Sequence, residues 1–333
     1  MTSIEWTDVT WNPVRGCSRV SPGCENCYAE RQAIRMSGLG GSYEGLVRIG
    51  KTGPVWTGDV RFVSEILGEP LRWKKPRRVF VNSMSDLFHS SVTNEEIAAV
   101  FGIMAACPQH QFQILTKRAK RMHSWFQWAS DTAPAVLHTH GPHAVLSALM
   151  SRWPLPNVHL LVSVEDQERA EERIPLLLET PAAIRGVSYE PALGPVELAR
   201  WLGVSTRGTG GQWHDVEPPG RRLDWVIVGG ESGPGARPFD PAWARHVLED
   251  CRLAGVPCFV KQMGHWVLGE HAGFRVNHWL LEDGRGFVPP ILGENAYRRP
   301  PSAIGFSLFH PKGGDPEEWP VDLRVREWPE VRA

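Results

Sequence analysis

Residues 158–190, VHLLVSVEDQERAEERIPLLLETPAAIRGVSYE, decide the fold class. The run VHLLVSV (158–164) is apolar almost throughout, as in a strand covered on both faces. DQERAEERIPLLLE follows, charged on one side and apolar on the other at helical spacing, and IRGVSYE (184–190) reads as a second strand. Strand, helix and strand in so short a span form a βαβ unit, and its crossover makes the two strands parallel.

The same pattern extends in both directions. Upstream, VFVNS (79–83) leads through MSDLF to the helical run NEEIAAVFGIMAA (94–106), with Thr93 as N-cap and Glu96 as its capping-box partner. FQILT (112–116) precedes KRAKRMHSWFQWA, then come a loop at 130–143 and a helix around 144–152. Downstream, GPVELARWL (194–202) follows the strand at 184–190, DWVIVGG (224–230) precedes PAWARHVLEDCRLAG (241–255), and PCFVKQ (257–262) closes the series. These are six strands, and an earlier one near residue 17 or at 59–63 makes seven. Periodicity alone fits a doubly wound sheet as well as a barrel. The strand ends favour a barrel, because each closes on polar groups: Asn82 and Ser83, Thr116 and Lys117, Ser163 and Glu165, Glu190, Gly230 and Glu231, Lys261 and Gln262. In a barrel such ends converge on one mouth. The expectation is an α/β fold, a partial (β/α) barrel of six or seven units over residues 1–263, with a small C-terminal extension over 264–333 that carries short strands at 265–268 and 274–280.

Ahead of the strands stands GCSRVSPGCENCY (16–28), with three cysteines in the spacing CxxxxxxCxxC. Gly16, Pro22 and Gly23 turn the segment back on itself, and AERQAIRM starts a helix behind it. Three readings are open for Cys17, Cys24 and Cys27. A structural zinc ion wants four ligands, so His89 or another distant residue has to complete it. A disulfide leaves one thiol over. A [4Fe–4S] cluster on three thiolates keeps one iron open. The other cysteines, Cys107, Cys251 and Cys258, read as small buried hydrophobes.

Ser37–Gly58 is glycine-rich and reads as a loop, as does the insert 203–222, while His138, His140 and His143 fall in a polar loop. RWKKPRR (72–78) precedes its strand and belongs at the end opposite the mouth; Lys117, Arg118, Lys120 and Arg121 follow theirs and are placed to steer a polyanion. GESGPGARP (230–238) has the glycine content to cradle a phosphate or carboxylate but fits no nucleotide fingerprint. A net charge of −1 gives no global attraction to nucleic acid or membrane. No apolar run approaches the ~20 residues of a membrane span, and the N-terminus lacks an export signal, so a cytoplasmic protein is expected.

The strings IEWTDVTWNPVRGCSRVSPGCENCYAER, FVNSMSDLFH, FQILTKR, VSVEDQERAEERIPLLLETPAAIR, SYEPALGPVEL and DWVIVGGESGPGARP closely resemble the phage Gp37/Gp68-like family (DUF5131), from about Ile4 to Trp266. That family in turn resembles radical S-adenosylmethionine (SAM) enzymes, including the spore photoproduct lyase type. The resemblance implies a partial barrel of radical SAM type in which Cys17, Cys24 and Cys27 ligate a [4Fe–4S] cluster whose open iron chelates SAM. An electron from an external donor would cleave SAM to a 5′-deoxyadenosyl radical that abstracts hydrogen from the substrate.

By the same resemblance Asn82, Ser83, Ser85 and Asp86 would hold the SAM amino group, and Ser163, Glu165 and Glu190 would meet ribose and methionine. Tyr28 would pack near the adenine, and Thr116, Lys117, Gly230, Glu231, Lys261 and Gln262 would face substrate. The sequence departs from the radical SAM pattern in two places: six residues, rather than three, separate the first two cysteines, and the aromatic residue follows the last cysteine instead of preceding it. The expected activity is radical chemistry on a nucleic acid or nucleotide. The alternative is a non-catalytic, zinc- or cluster-stabilised phage protein that binds nucleic acid.

Overall fold

The computed structural model describes residues 4–135, 142–204, 206–207, 213–214, 222–269, 271–282, 286–287 and 302–330. Its centre is a seven-stranded sheet of β1 (Val9–Trp11), β2 (Arg78–Val81), β3 (Gln111–Thr116), β4 (Val158–Val164), β5 (Ile184–Tyr189), β6 (Trp225–Gly229) and β7 (Cys258–Gln262). All neighbours pair in parallel, and spatial order follows chain order. The edges β1 and β7 do not pair with each other, so the sheet is a curled half-barrel. All six predicted strands are present, and the seventh is Val9–Trp11, just ahead of the cysteines. Residues 61–62 instead pair antiparallel with Val14–Arg15.

The helices are α1 (Tyr28–Ile34), α2 (Asn94–Ala106), α3 (Ala119–Ala135), α4 (Pro142–Met150), α5 (Gln167–Glu179), α6 (Ala199–Leu202) and α7 (Pro241–Ala254). Local chemistry sets their ends. The capping box of Thr93 and Glu96 opens α2, and the Asp166 and Asp240 side chains accept backbone N–H groups at the starts of α5 and α7. Two expectations change here. Helix α3 continues to Ala135, into the region read as loop, and only 199–202 of the predicted run 194–202 is helical. His138 and His140 lie outside the described residues, as does the side chain of His143.

Strand alternation sorts the side chains into two cores. Val79, Val81, Phe112, Ile114, Leu160, Val162 and Val226 face outward into the main core under the helices. Trp6, Phe80, Leu161, Ile184, Trp225, Ile227 and Phe259 point inward and form a separate plug. The Trp6 and Trp225 rings meet edge to face at 6.1 Å, so the two sides of the sheet close around one floor. Level with Phe80 and Ile184 of the plug, Gln113 and His159 stand side by side in register, and burial pushes His159 down to about 4, keeping it neutral.

The C-terminal part adds a four-stranded antiparallel sheet from 267–268, 276–281, 286–287 and 303–308, with Trp279 and Phe306 joining the main core. Residues beyond it cross the floor: Val325 O accepts Val260 N–H, Trp225 Nε1 donates to Glu327 O at 2.9 Å, and Trp328 Nε1 donates to Trp6 O at 3.3 Å. Among the described residues no helix is long and apolar enough to cross a membrane.

Candidate functional site

The cysteine loop lies across the C-terminal ends of the strands, held at four places. Ser21 Oγ donates to Glu165 Oε1 at 2.7 Å, just past β4. A Cβ at Gly23 would stand 2.5 Å from that same oxygen, so only glycine allows the loop to come down on the carboxylate. Asn26 Nδ2 donates to Glu231 Oε2 at 2.9 Å, beyond β6. Arg118, after β3, donates to Ser18 O at 2.8 Å and Ser18 Oγ at 2.9 Å, and its NH1 lies 3.7 Å from Cys17 Sγ. The Tyr28 hydroxyl donates to Ser83 O beyond β2.

Each strap has a second tier. Glu165 is fully buried, with Arg173 3.1 Å from Oε2 and Lys117 Nζ 3.5 Å from Oε1. Asp86 is also buried and accepts from Thr116 Oγ1 (2.7 Å), Phe88 N (2.9 Å), Arg118 NH1 (3.0 Å) and Lys117 N (3.1 Å). Arg237 grips Glu231 and also donates to Pro22 O at 2.9 Å and Glu25 Oε2 at 3.0 Å, so one guanidinium joins the β6 end to the loop. Burial raises Glu231 toward the neutral form, but the hydrogen bonds from Arg237 and Asn26 outweigh it and hold the carboxyl below its usual range.

All three thiols are half-buried, and Cys17 and Cys27 pack against a small apolar cluster formed by Ala29, Ala33, Tyr43, Leu46, Val47, Trp56 and Met84. Two strands of that cluster, Val47–Gly50 and Gly53–Trp56, form a hairpin. This corrects the loop expected for Ser37–Gly58: glycine there serves a turn and packing rather than irregularity. Burial pushes the Cys17 thiol up to about 12 against the pull of Arg118, and it also raises Cys27, against backbone N–H bonds from Glu30 and Ala29. Cys17 and Cys27 are therefore protonated at neutral pH, and a metal must displace their protons. Arg118 beside Cys17, and Arg19, whose charge reaches Cys24 and Cys27, suit the negative charge of a bound thiolate centre. His89, the distant candidate for a fourth ligand, is committed elsewhere: Nε2 is 2.8 Å from Ser18 Oγ, and Nδ1 accepts Ser91 N–H at 3.2 Å.

The remaining predicted residues divide into two groups. At the mouth, Tyr28, Ser83, Lys117, Glu190 and Lys261 keep part of their surface open. Lys261 Nζ is 3.0 Å from Glu190 Oε1, and a Cβ at Gly229 would stand 2.5 Å from that oxygen. The others are engaged inside the protein. Asp86 and Thr116 bond each other, and Ser85 Oγ donates to Val14 O at 2.7 Å. Asn82, at φ 60°, accepts Val14 N–H through Oδ1. Ser163 is buried beside the Glu165 pair, and Gln262 is buried with its amide donating to Gly230 O at 2.8 Å. Glu231 is held by Arg237 and Asn26.

The expectation for the cations after β3 is corrected. Lys117 is paired with Glu165, Arg118 with Asp86, and Arg121 donates to Asn94 Oδ1 at 2.6 Å, so three of the four cations after β3 build structure. The GESGPGARP segment turns carbonyls to the loop, where Ser232 O and Pro234 O accept from Arg31 and Gly235 O from Asn26, and its Arg237 N–H donates to its own Glu231 Oε2 at 2.8 Å. Asn26, Arg31, Arg118 and Arg237 are the clamp residues that sequence reasoning did not single out as such.

No match was found among curated proteins, and none among solved structures. Residues 1–296 match the model of a family described as Protein of unknown function (DUF5131), and the chain belongs to that family.

Proposed function

We propose that the chain is a radical SAM-type iron–sulfur enzyme that acts on a nucleic acid or nucleotide. The observation that carries this reading is a set of three thiols clamped over the mouth of a parallel half-barrel, with the candidate fourth ligand His89 hydrogen-bonded to Ser18 and Ser91 instead. A single tetrahedral zinc would draw sulfur ligands to about 3.8 Å of one another. Among the described residues, the Cys/His/Asp/Glu group whose ligand atoms all fall within 4.8 Å is a different one, so the three sulfurs stand wider than that ion asks. A four-iron cluster spans the wider spacing and needs only three protein ligands.

Cys17, Cys24 and Cys27 would hold the cluster. When bound, with SAM on its open iron, it supplies one-electron reductive cleavage of the sulfonium. Arg118 and Arg19 offset the charge of the thiolates. Tyr28 and Ser83 line one side of the open edge, and the Glu190 carboxylate offers an acceptor for ammonium or ribose hydroxyl groups. Lys261, which keeps part of its surface open beside Glu190, offers a donor to a carboxylate or phosphate. The apolar cluster around the hairpin shields one side of Cys17 and Cys27, and the floor plug closes the bottom of the barrel. The substrate class rests on the resemblance to photoproduct lyases. Anaerobic purification tests the reading: brown protein with about four iron and four sulfide per chain is expected, whereas colourless protein carrying one zinc overturns it.

A further inference from the structure

On the outer helical layer a second group of ligating side chains converges. His246 and Asp250 are four residues apart on α7 and so share a face. Glu197 reaches them from the connection between β5 and α6, where its backbone N–H donates to Gln167 Oε1 at 2.9 Å. His246 Nε2 lies 2.9 Å from Glu197 Oε2 and 3.8 Å from Asp250 Oδ2, and one ligand atom from each residue falls within 4.8 Å of the others.

Asp250 sets this cluster apart from an ordinary surface ion pair. It is only 7 % exposed, and its Oδ2, turned toward His246, has no hydrogen-bond donor. A buried carboxylate oxygen without a donor is costly, and a cation relieves that cost. The neighbouring Glu197 and His246 are exposed, which leaves an entry path for an ion.

We propose that Glu197, His246 and Asp250 form a second metal site, which takes one divalent ion of the zinc type and staples the β5–α6 connection to α7. One imidazole nitrogen with two carboxylates suits Zn²⁺ or its late first-row neighbours, whereas Mg²⁺ and Ca²⁺ favour oxygen alone. Tetrahedral zinc with bonds near 2.1 Å separates its ligand atoms by about 3.4 Å. The exposed Glu197 must therefore swing outward slightly from its hydrogen bond and the buried Asp250 edge inward. The His246 proton then moves to Nδ1, so that Nε2 presents its lone pair. This site does not depend on what the cysteines bind.

Co²⁺ titration of chelator-treated full-length protein tests the proposal, because thiolate ligation gives an intense charge-transfer band that nitrogen and oxygen ligation lacks. In a chain with Cys17, Cys24 and Cys27 all changed to serine, one Co²⁺ should bind with weak visible bands only and be displaced by Zn²⁺. Adding His246→Gln should weaken it by more than about 100-fold, and Asp250→Asn should also weaken it. Should the triple variant not fold, equilibrium dialysis of the otherwise unaltered chain gives the same answer, with one Zn²⁺ fewer in His246→Gln. An unchanged metal count in His246→Gln overturns the proposal.

Discussion

The two ends of the sheet are made by the same strands and closed in opposite ways. At the floor the inward side chains are Trp6, Phe80, Leu161, Ile184, Trp225, Ile227 and Phe259, and the C-terminal segment is bonded across them through Trp225, Val260 and Trp6. At the mouth the closing groups are Asp86, Glu165, Glu190 and Glu231, each with a lysine or arginine partner, and the lid is a loop of cysteines. An apolar plug stabilises through area removed from water and tolerates no opening. Buried ion pairs contribute little net stability but fix positions closely, because each charge is costly if its partner moves. Of the two ends, the floor therefore adds to the stability supplied by the main core, and the mouth carries the placement of the thiols.

Separating the two roles gives tests in order of size. Cys24→Ser should abolish iron binding completely while leaving the far-UV dichroism and melting curve of the apo protein in place. Loss of the fold would show that the loop is needed for the barrel. Trp225→Ala should destabilise the chain by about 3–5 kcal/mol in urea denaturation. Iron content per folded molecule should stay the same, and a fall in that ratio would join the two ends that the comparison separates.

Arg118→Gln should weaken cluster loading by about 10–100-fold with a much smaller effect on stability, because Asp86 keeps three other donors. Iron competition with a chelator reads this, and Arg118→Lys should recover part of it. The smallest effect is one of pH. The Glu231 carboxyl is held below its ordinary 4.5, so its clamp contributes fully above that value and is lost as pH falls through the lower, folded value. Hydrogen exchange at the amides of 24–27 in the apo chain should accelerate there. In Arg237→Ala the acceleration should move to higher pH, and an unmoved profile would remove Glu231 from the clamp.

The sequence made the six strands from 78 to 262 legible because each is a continuous apolar run between helical periods, and that is a local property. Val9–Trp11 was only half legible: VTW is too short to carry a period, and its pairing with β2 reaches across seventy positions. The hairpin over 47–56 was hidden by its glycines. The thiols were legible from spacing, as was the convergence of polar strand ends. Which polar groups stay open was not. That depends on partners such as Asn26 with Glu231, 205 positions apart, or Arg237 with Pro22, 215 apart. Arg118 illustrates the difference. In sequence it is part of a basic run, and in the fold it is bound to Asp86, Ser18 and Cys17.

The central claim is that the three thiols hold a cluster able to cleave SAM. Anaerobic reconstitution with iron and sulfide, followed by dithionite and SAM, tests it through the appearance of 5′-deoxyadenosine. The wild-type chain is expected to form it and Cys24→Ser to form none. A fully reconstituted wild-type protein that leaves SAM intact would contradict the account.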